Sequence, residues 1–288
     1  MVTPVDRRQF LGAATGLLLT GVANARSLPK PSIRSIGAWA SVADATVLAD
    51  AGYDFIEEEV ARFLLPEASE EIFADQLAAA RALPIPVRTL VRFLPASMQS
   101  VGPDAAHDNI VAFSETVFPR ARRAGVETLV FGSPRSRRIP ENFSRAAAEK
   151  QLIDLCRRLA PIAKANKLIL ALEPLNHTET NFINRVSEGA LIVRKVNHPN
   201  IRLVADLFHM RMEDEGPESI LQNASLISHV QIAEKQGRRA PGVSGEDFSD
   251  CFAALRSTGY AHRLSVECLW SDISLEAPLA MRTLRSLL

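Results

Sequence analysis

The sequence predicts a single (β/α)8 barrel, because short apolar runs alternate with longer helical stretches along the chain after residue 25. Eight runs rich in β-branched residues fit strands, at Ile33–Ala38, Asp54–Val60, Val87–Phe93, Glu127–Gly132, Leu168–Leu175, Ile201–Leu207, Ile227–Ala233 and Arg263–Leu269. Helical periodicity covers stretches such as Glu67–Leu83, Asp104–Ala124, Glu141–Asn166, Val186–Val196 and Glu246–Thr258. Eight βα units of this size favour a closed parallel barrel. A doubly wound open sheet is the competitor, but no GxGxxG motif follows the first strand.

The composition is that of one globular domain. Of the 288 residues, 47% are hydrophobic and 23% are charged, which is enough apolar material for one large core. The 33 basic and 33 acidic residues cancel, and this balance argues against a nucleic-acid partner, since nucleic-acid binders carry a basic excess. The spacing of Cys156, Cys251 and Cys268 fits neither a disulfide framework nor a zinc motif, so free thiols are expected.

Residues 1–25 form a candidate export signal. The sequence RRQFL at residues 7–11 precedes a mildly apolar run at residues 12–23, and Ala23 and Ala25 supply the small residues that a signal peptidase reads. This pattern resembles a twin-arginine signal. The resemblance implies a mature domain at residues 26–288, transient contact with the twin-arginine export machinery and a periplasmic location. The run is too short to span a bilayer, so stable membrane insertion is not expected.

Polar side chains close four consecutive predicted strands, the fifth to the eighth. They are Glu173, Asp206, Gln231 and Glu267, with His209 three residues after Asp206. In a (β/α)8 barrel the carboxyl ends of the strands converge on one site. Three carboxylates that point at one axis repel each other and are costly to bury, and a divalent cation offsets that repulsion. Ligation by oxygen alone favours Mn²⁺ or Mg²⁺ over zinc.

These strand ends also carry the motifs of a known family. Glu173-Pro174-Leu175-Asn176, Asp206-Leu207-Phe208-His209, the sequence HVQIAE at residues 229–234, and Val266-Glu267 resemble the xylose isomerase-like barrel superfamily. Its most similar branches are the ketose 3-epimerases and the hydroxypyruvate isomerases. Over residues 33–134 the resemblance rests on barrel periodicity alone. Epimerases of this group place histidine at the position of Gln231, whereas hydroxypyruvate isomerases resemble this chain there.

The resemblance implies roles for individual residues. The implied metal ligands are Glu173, Asp206, Gln231 and Glu267, and the implied substrate-binding residues are Glu179, His209 and Arg238. Arg239 is the alternative to Arg238, because the segment after Lys235 is one residue longer than in an epimerase. On the second strand, Glu57 to Glu59 offer a further polar contact, and strand alternation decides which of them faces inward.

The expected function is that of a metal-dependent sugar isomerase or epimerase acting on an unphosphorylated keto sugar through an enediolate. Glu173 and Glu267 would transfer the proton. A lyase or hydrolase of 3-keto glycosides on the same barrel and metal site is the alternative. An endonuclease IV-like enzyme shares the Asp206-to-His209 spacing, but the second and third strands contain no histidine for its zinc cluster. A non-catalytic sugar-binding barrel also stays open, and so does a homo-oligomeric assembly.

Overall fold

Eight parallel strands close into a barrel in sequence order, with the first strand paired to the last. The computed structural model describes Met1 and residues 33–288, so the candidate export signal lies, apart from Met1, outside the described residues. The strands are β1 Ser35–Trp39, β2 Phe55–Glu59, β3 Val87–Val91, β4 Thr128–Phe131, β5 Ile169–Leu172, β6 Ile201–Asp206, β7 Ile227–Ile232 and β8 Arg263–Val266. The prediction of a single (β/α)8 barrel is confirmed.

Helices connect the strands around the outside of the barrel. They are α1 Ala45–Ala51, α2 Val60–Leu64, α3 Glu70–Arg81, α4 His107–Arg123, α5 Arg145–Ala165, α6 Val186–Val196, α7 Leu207–Met212, α8 Glu218–Asn223, α9 Ser249–Ser257 and α10 Ile273–Leu287. The five predicted helical stretches correspond to α3, α4, α5, α6 and α9. Within residues 33–288 no helix combines the length and the apolar character that a membrane span requires.

Local sequence signals set the helix bounds. The Ser69 side chain accepts a hydrogen bond from the backbone N–H of Ile72 and begins α3, and Ser144 begins α5 in the same way. Asn197 ends α6 in a left-handed conformation with φ of 53°, which asparagine tolerates better than most residues. These ends turn the chain back toward the next strand and keep successive strands parallel.

The core has two parts. A small cluster inside the barrel contains the side chains of Val91, Val130, Ala171 and Val204. A much larger apolar shell lies between the strands and the helices. On β2, Glu57 faces into the barrel, whereas Glu58 forms an ion pair with Arg62 on α2. Alternation along β2 therefore brings one carboxylate beneath the strand ends where the site lies.

Candidate active site

The structure brings the four predicted metal ligands to one end of the barrel. Glu173 follows β5 directly, Asp206 is the last residue of β6, Gln231 is on β7 and Glu267 follows β8. Because these strands are neighbours in the sheet, their carboxyl ends place the four side chains side by side. The predicted substrate-binding residues lie at the same end of the barrel and are Glu179, His209 and Arg238. Together with Glu173 and Glu267 they line a cavity of about 820 Å³.

Buried oxygen atoms mark the position of a cation. Gln231 Oε1 is buried and accepts no hydrogen bond from the described residues, and Asp206 Oδ2 and Glu267 Oε2 are buried with only the Arg238 guanidinium and His209 nearby. Potential ligand atoms of Glu173, Asp206 and His209 lie within 4.8 Å of one another. A buried acceptor without a partner is costly, and a hard divalent cation provides the missing interaction. The arrangement therefore fits a divalent cation.

A buried hydrogen-bond network orients Gln231. Its Nε2 donates to Glu57 Oε1 at 2.9 Å, and His229 Nε2 lies 2.9 Å from Glu57 Oε2. All three side chains are fully buried. Since the amide nitrogen is engaged by Glu57, the amide oxygen is the end left for a ligand. The positions of Glu57 and His229 follow strand alternation, but the contact between β2 and β7 has no signal in the sequence.

His209 lies beside the carboxylates with a defined tautomer. The backbone N–H of Asn176 donates to Nδ1 at 3.2 Å, so a neutral ring carries its proton on Nε2. That Nε2 lies 3.5 Å from Asp206 Oδ2 and 3.6 Å from Glu173 Oε1. Burial lowers the pKa of His209 well below its ordinary value, and nearby arginines add to the effect. His209 is therefore a neutral N–H donor, which suits a substrate contact better than metal ligation.

Arg238 lies among the acidic side chains. Its Nη2 is 3.1 Å from Glu267 Oε2 and 3.7 Å from Asp206 Oδ2, and its Nη1 is 3.3 Å from Glu179 Oε1. The guanidinium carbon stacks 4.7 Å from the Phe208 ring centroid. Arg238 thus holds a fixed position at the predicted substrate site.

The alternative arginine points elsewhere. The Arg239 guanidinium donates to Glu276 at the start of α10. Of the two arginines that the sequence left open, the structure places Arg238 in the site and Arg239 outside it.

The acidic cluster resists full ionisation without a cation. Burial raises the pKa of Glu173 well above its ordinary value, and the charges of Glu267 and Asp206 raise it further. Burial also raises the pKa of Asp206 to about 6 and that of Glu267 to about 8, while Arg238 opposes both shifts. For Arg238, burial lowers the pKa, but the surrounding carboxylates outweigh it and raise the pKa above its ordinary value. Bound positive charge would favour the ionised carboxylates.

Two residues near Glu173 are not predictable from the sequence. Arg137 is fully buried, and its Nη1 donates to the Phe131 carbonyl at 3.2 Å. Burial lowers the pKa of Arg137 to about 10, while Glu173 and Glu179 act to raise it. Gly132 follows β4, and a Cβ there would overlap Glu173 Oε2. In the sequence, nothing separates Arg137 from the other arginines of its loop, and nothing shows that Gly132 approaches Glu173.

The fold and this site define a parallel (β/α)8 barrel with a carboxylate-rich cluster at the carboxyl ends of its last four strands. The chain belongs to the xylose isomerase-like TIM barrel family, whose sequence profile matches residues 45–287. It is similar to the L-ribulose 3-epimerase of Methylomonas sp. (strain DH-1), with 33% identity over 134 residues that cover 46% of this chain and 44% of the relative. The chain thus spans less than half the length of that relative.

Two solved structures have the same fold. One is a D-psicose 3-epimerase with D-tagatose from Clostridium cellulolyticum H10, with a TM-score of 0.72 and 20% identity over 88% of this chain and 98% of the other. The other is the 3-keto-D-glucoside 4-epimerase of E. coli, with a TM-score of 0.70 and 19% identity over 88% of this chain and 98% of the other. At these identities the structures establish the fold alone.

Proposed function

We propose that this protein is a metal-dependent sugar isomerase or epimerase that acts on an unphosphorylated keto sugar. The observation that carries the proposal is the cluster of buried acidic and amide oxygens of Glu173, Asp206, Gln231 and Glu267 at the barrel end, among which Gln231 Oε1 accepts no hydrogen bond and Arg238 is the one cation in contact among the described residues. The relative named as an L-ribulose 3-epimerase supports it.

The proposed chemistry is proton transfer next to a carbonyl through an enediolate. Glu173, Asp206, Gln231 and Glu267 would hold a divalent cation, whose charge stabilises the developing oxygen anion and favours ionised Glu173. Glu173, which follows β5, removes the proton from carbon. Glu267, which follows β8 at the other side of the ligand set, returns one.

The remaining site residues position the sugar. The Nε2–H of His209 donates to a substrate oxygen, because its Nδ1 is already engaged by Asn176. Arg238 and Glu179, which pair with each other at 3.3 Å, bind substrate hydroxyls. Proton return to the opposite face of the same carbon gives epimerisation, and return to the adjacent carbon gives isomerisation.

A lyase or hydrolase of 3-keto glycosides is the second candidate. It would use the same first proton abstraction, followed by loss of a leaving group from the enolate. The volume of the cavity, about 820 Å³, favours a substrate larger than one sugar ring.

Metal content and product analysis together test the proposal. Elemental analysis is expected to find about one divalent ion per chain, lost in Asp206→Ala and kept in Asp154→Ala, an acidic residue of α5 that pairs with Lys150 at the surface. Metal-loaded protein is then incubated with free ketoses, aldoses and 3-keto glycosides, and NMR identifies the products. Equal metal content in both variants, or no conversion of any of these substrates, would contradict it.

We propose that residues 1–25 direct export by the twin-arginine route to the periplasm. The RRQFL sequence at residues 7–11 supports this proposal. Replacing Arg7 and Arg8 by lysine is expected to retain the protein in the cytoplasm, as measured by cell fractionation. Unchanged appearance of the double variant outside the cytoplasm would rule out that route.

A further inference from the structure

The cavity extends well beyond the acidic cluster. Its inner part is formed by residues that follow the last four strands, such as Glu173, His209 and Glu267. Its outer part is formed by the segments that follow β2, β3 and β4. The cavity has a total volume of about 820 Å³, so a single sugar ring held at Glu173 and Glu267 leaves its outer part unfilled.

The outer part is walled mainly by apolar side chains. We name this region the apolar half, and its residues are Leu65, Pro66, Leu94, Pro95, Ala96 and Phe113. Pro95 and Ala96 are exposed, and Phe113 on α4 is half-buried against Phe93. Apolar surface of this kind, continuous with a polar reaction site, is typical of small-molecule pockets.

Most polar groups of the same region already have partners. The Leu94 N–H donates to Ser133 Oγ at 2.9 Å, and Ser136 Oγ donates to the Met98 carbonyl at 2.6 Å. Glu59 pairs with Arg92 at 2.9 Å.

The two other charged side chains of the outer part, Glu67 and Arg135, are exposed. A second sugar ring needs several donors and acceptors to replace its water hydrogen bonds, and a buried hydroxyl without a partner is costly. An apolar group carries no such cost and gains from burial.

We propose that the substrate sugar carries an apolar substituent, an aryl or alkyl aglycone, which occupies the apolar half. The position of the sugar ring at Glu173 and Glu267 rests on the proposed function, whereas the apolar subsite rests on the lining of the cavity. The proposal therefore favours glycosides over free monosaccharides as the substrate class.

Binding of unreactive probes tests the subsite without turnover. Isothermal titration of the protein with methyl D-glucoside, phenyl D-glucoside and a disaccharide of glucose, in both anomeric forms, compares the three substituents on one ring. Phenyl D-glucoside is expected to bind at least tenfold more tightly than the methyl glycoside and more tightly than the disaccharide, because its ring is buried in the apolar half.

A matched pair of tryptophan variants locates the effect. Ala96→Trp fills the apolar half and is expected to reduce the phenyl-to-methyl affinity ratio to about 1. Ala82→Trp, at an exposed alanine that follows α3 before β3, is expected to keep the ratio. If Ala96→Trp does not fold, as judged by circular dichroism, Phe113→Ala removes part of the wall and is expected to lower the ratio.

The outcomes separate the subsite from the proposed function. Phenyl D-glucoside that binds no better than methyl D-glucoside, undetectable binding of both included, overturns the subsite. Binding of the disaccharide more tightly than phenyl D-glucoside also overturns the subsite. So does an unchanged phenyl-to-methyl affinity ratio in Ala96→Trp. A phenyl preference without proton exchange on any free ketose, aldose or 3-keto glycoside supports the subsite and overturns the proposed function. Proton exchange on keto sugars without a phenyl preference supports the proposed function and overturns the subsite.

Discussion

At the scale of single residues, the site depends on which atom of each side chain is left free. Gln231 donates its amide N–H to Glu57, which leaves its oxygen without a partner. His209 accepts the Asn176 N–H on Nδ1, which leaves an N–H on Nε2. Each assignment depends on a hydrogen bond with a neighbour and not on the residue type alone.

The first prediction concerns Glu57. Glu57→Ala removes the acceptor that fixes the Gln231 amide, so we expect metal affinity to fall by roughly 10–100-fold, the usual effect of losing a residue that orients a ligand. Glu57→Gln keeps an acceptor oxygen for the Gln231 amide N–H and is expected to lose much less metal affinity. Competition with a chromophoric chelator measures both affinities. Equal affinity of Glu57→Ala and the unchanged protein would contradict the positioning role.

The sequence predicts which residues reach the barrel end but not how they contact each other. Glu173, Asp206 and Glu267 are predictable because each follows a short apolar run, and strand ends meet in a parallel barrel. The Glu57–Gln231 hydrogen bond joins residues 174 positions apart, and no local pattern encodes it. The buried position of Arg137 is equally invisible, because burial of an arginine depends on the surrounding loops.

At the scale of elements, the strand ends decide where the site lies. The predicted strand Leu168–Leu175 ends at Leu172 in the structure, and the predicted strand Arg263–Leu269 ends at Val266. Apolar residues continue past the last ladder hydrogen bonds in both cases, so hydropathy alone overestimates the strand length. The effect is that Glu173 and Glu267 begin loops and project above the barrel.

The second prediction compares two glycines in different elements. Gly132→Ala adds a Cβ that overlaps Glu173 Oε2, so we expect kcat/KM to fall by roughly 100-fold, because small displacements of catalytic groups are costly. Gly259, after α9, has φ of +66° with open space around it. Gly259→Ala is expected to lower the free energy of unfolding by roughly 1 kcal/mol through backbone strain, with kcat/KM unchanged.

Kinetics and thermal unfolding of both variants check this comparison. Full activity of Gly132→Ala would show that Glu173 does not depend on the close approach of β4. Lost activity in a stable Gly259→Ala would show that its loop acts on the site, which the structure gives no reason to expect.

At the scale of the whole molecule, the helical shell encloses the three cysteines. Cys156 is on α5, Cys251 is on α9, and Cys268 follows β8, and all three are free and buried. This agrees with the expectation from their spacing. Burial raises the pKa of Cys156 and of Cys251 to about 12.

The third prediction follows from these raised thiol pKa values. At pH 8 the thiols are almost fully protonated and sterically enclosed, so the native protein is expected to react very slowly with Ellman's reagent. In concentrated guanidinium chloride all three are expected to react at once. Rapid reaction of one or more thiols in the native protein at pH 8 would contradict the closed shell.

Solvent-proton incorporation by the metal-loaded enzyme tests directly whether Glu173 and Glu267 transfer a proton at the carbon beside the carbonyl. Incubation in D2O with the true keto sugar substrate is expected to place deuterium at one carbon beside the carbonyl, as read by NMR. Glu173→Gln and Glu267→Gln are each expected to slow this incorporation by roughly 10²–10⁴-fold, the usual contribution of a positioned acid or base. Glu71→Gln, at an exposed acid on α3, serves as the control and is expected to leave the rate unchanged. Conversion at the full rate by both the Glu173 and the Glu267 variants would contradict the proposed roles of these two residues.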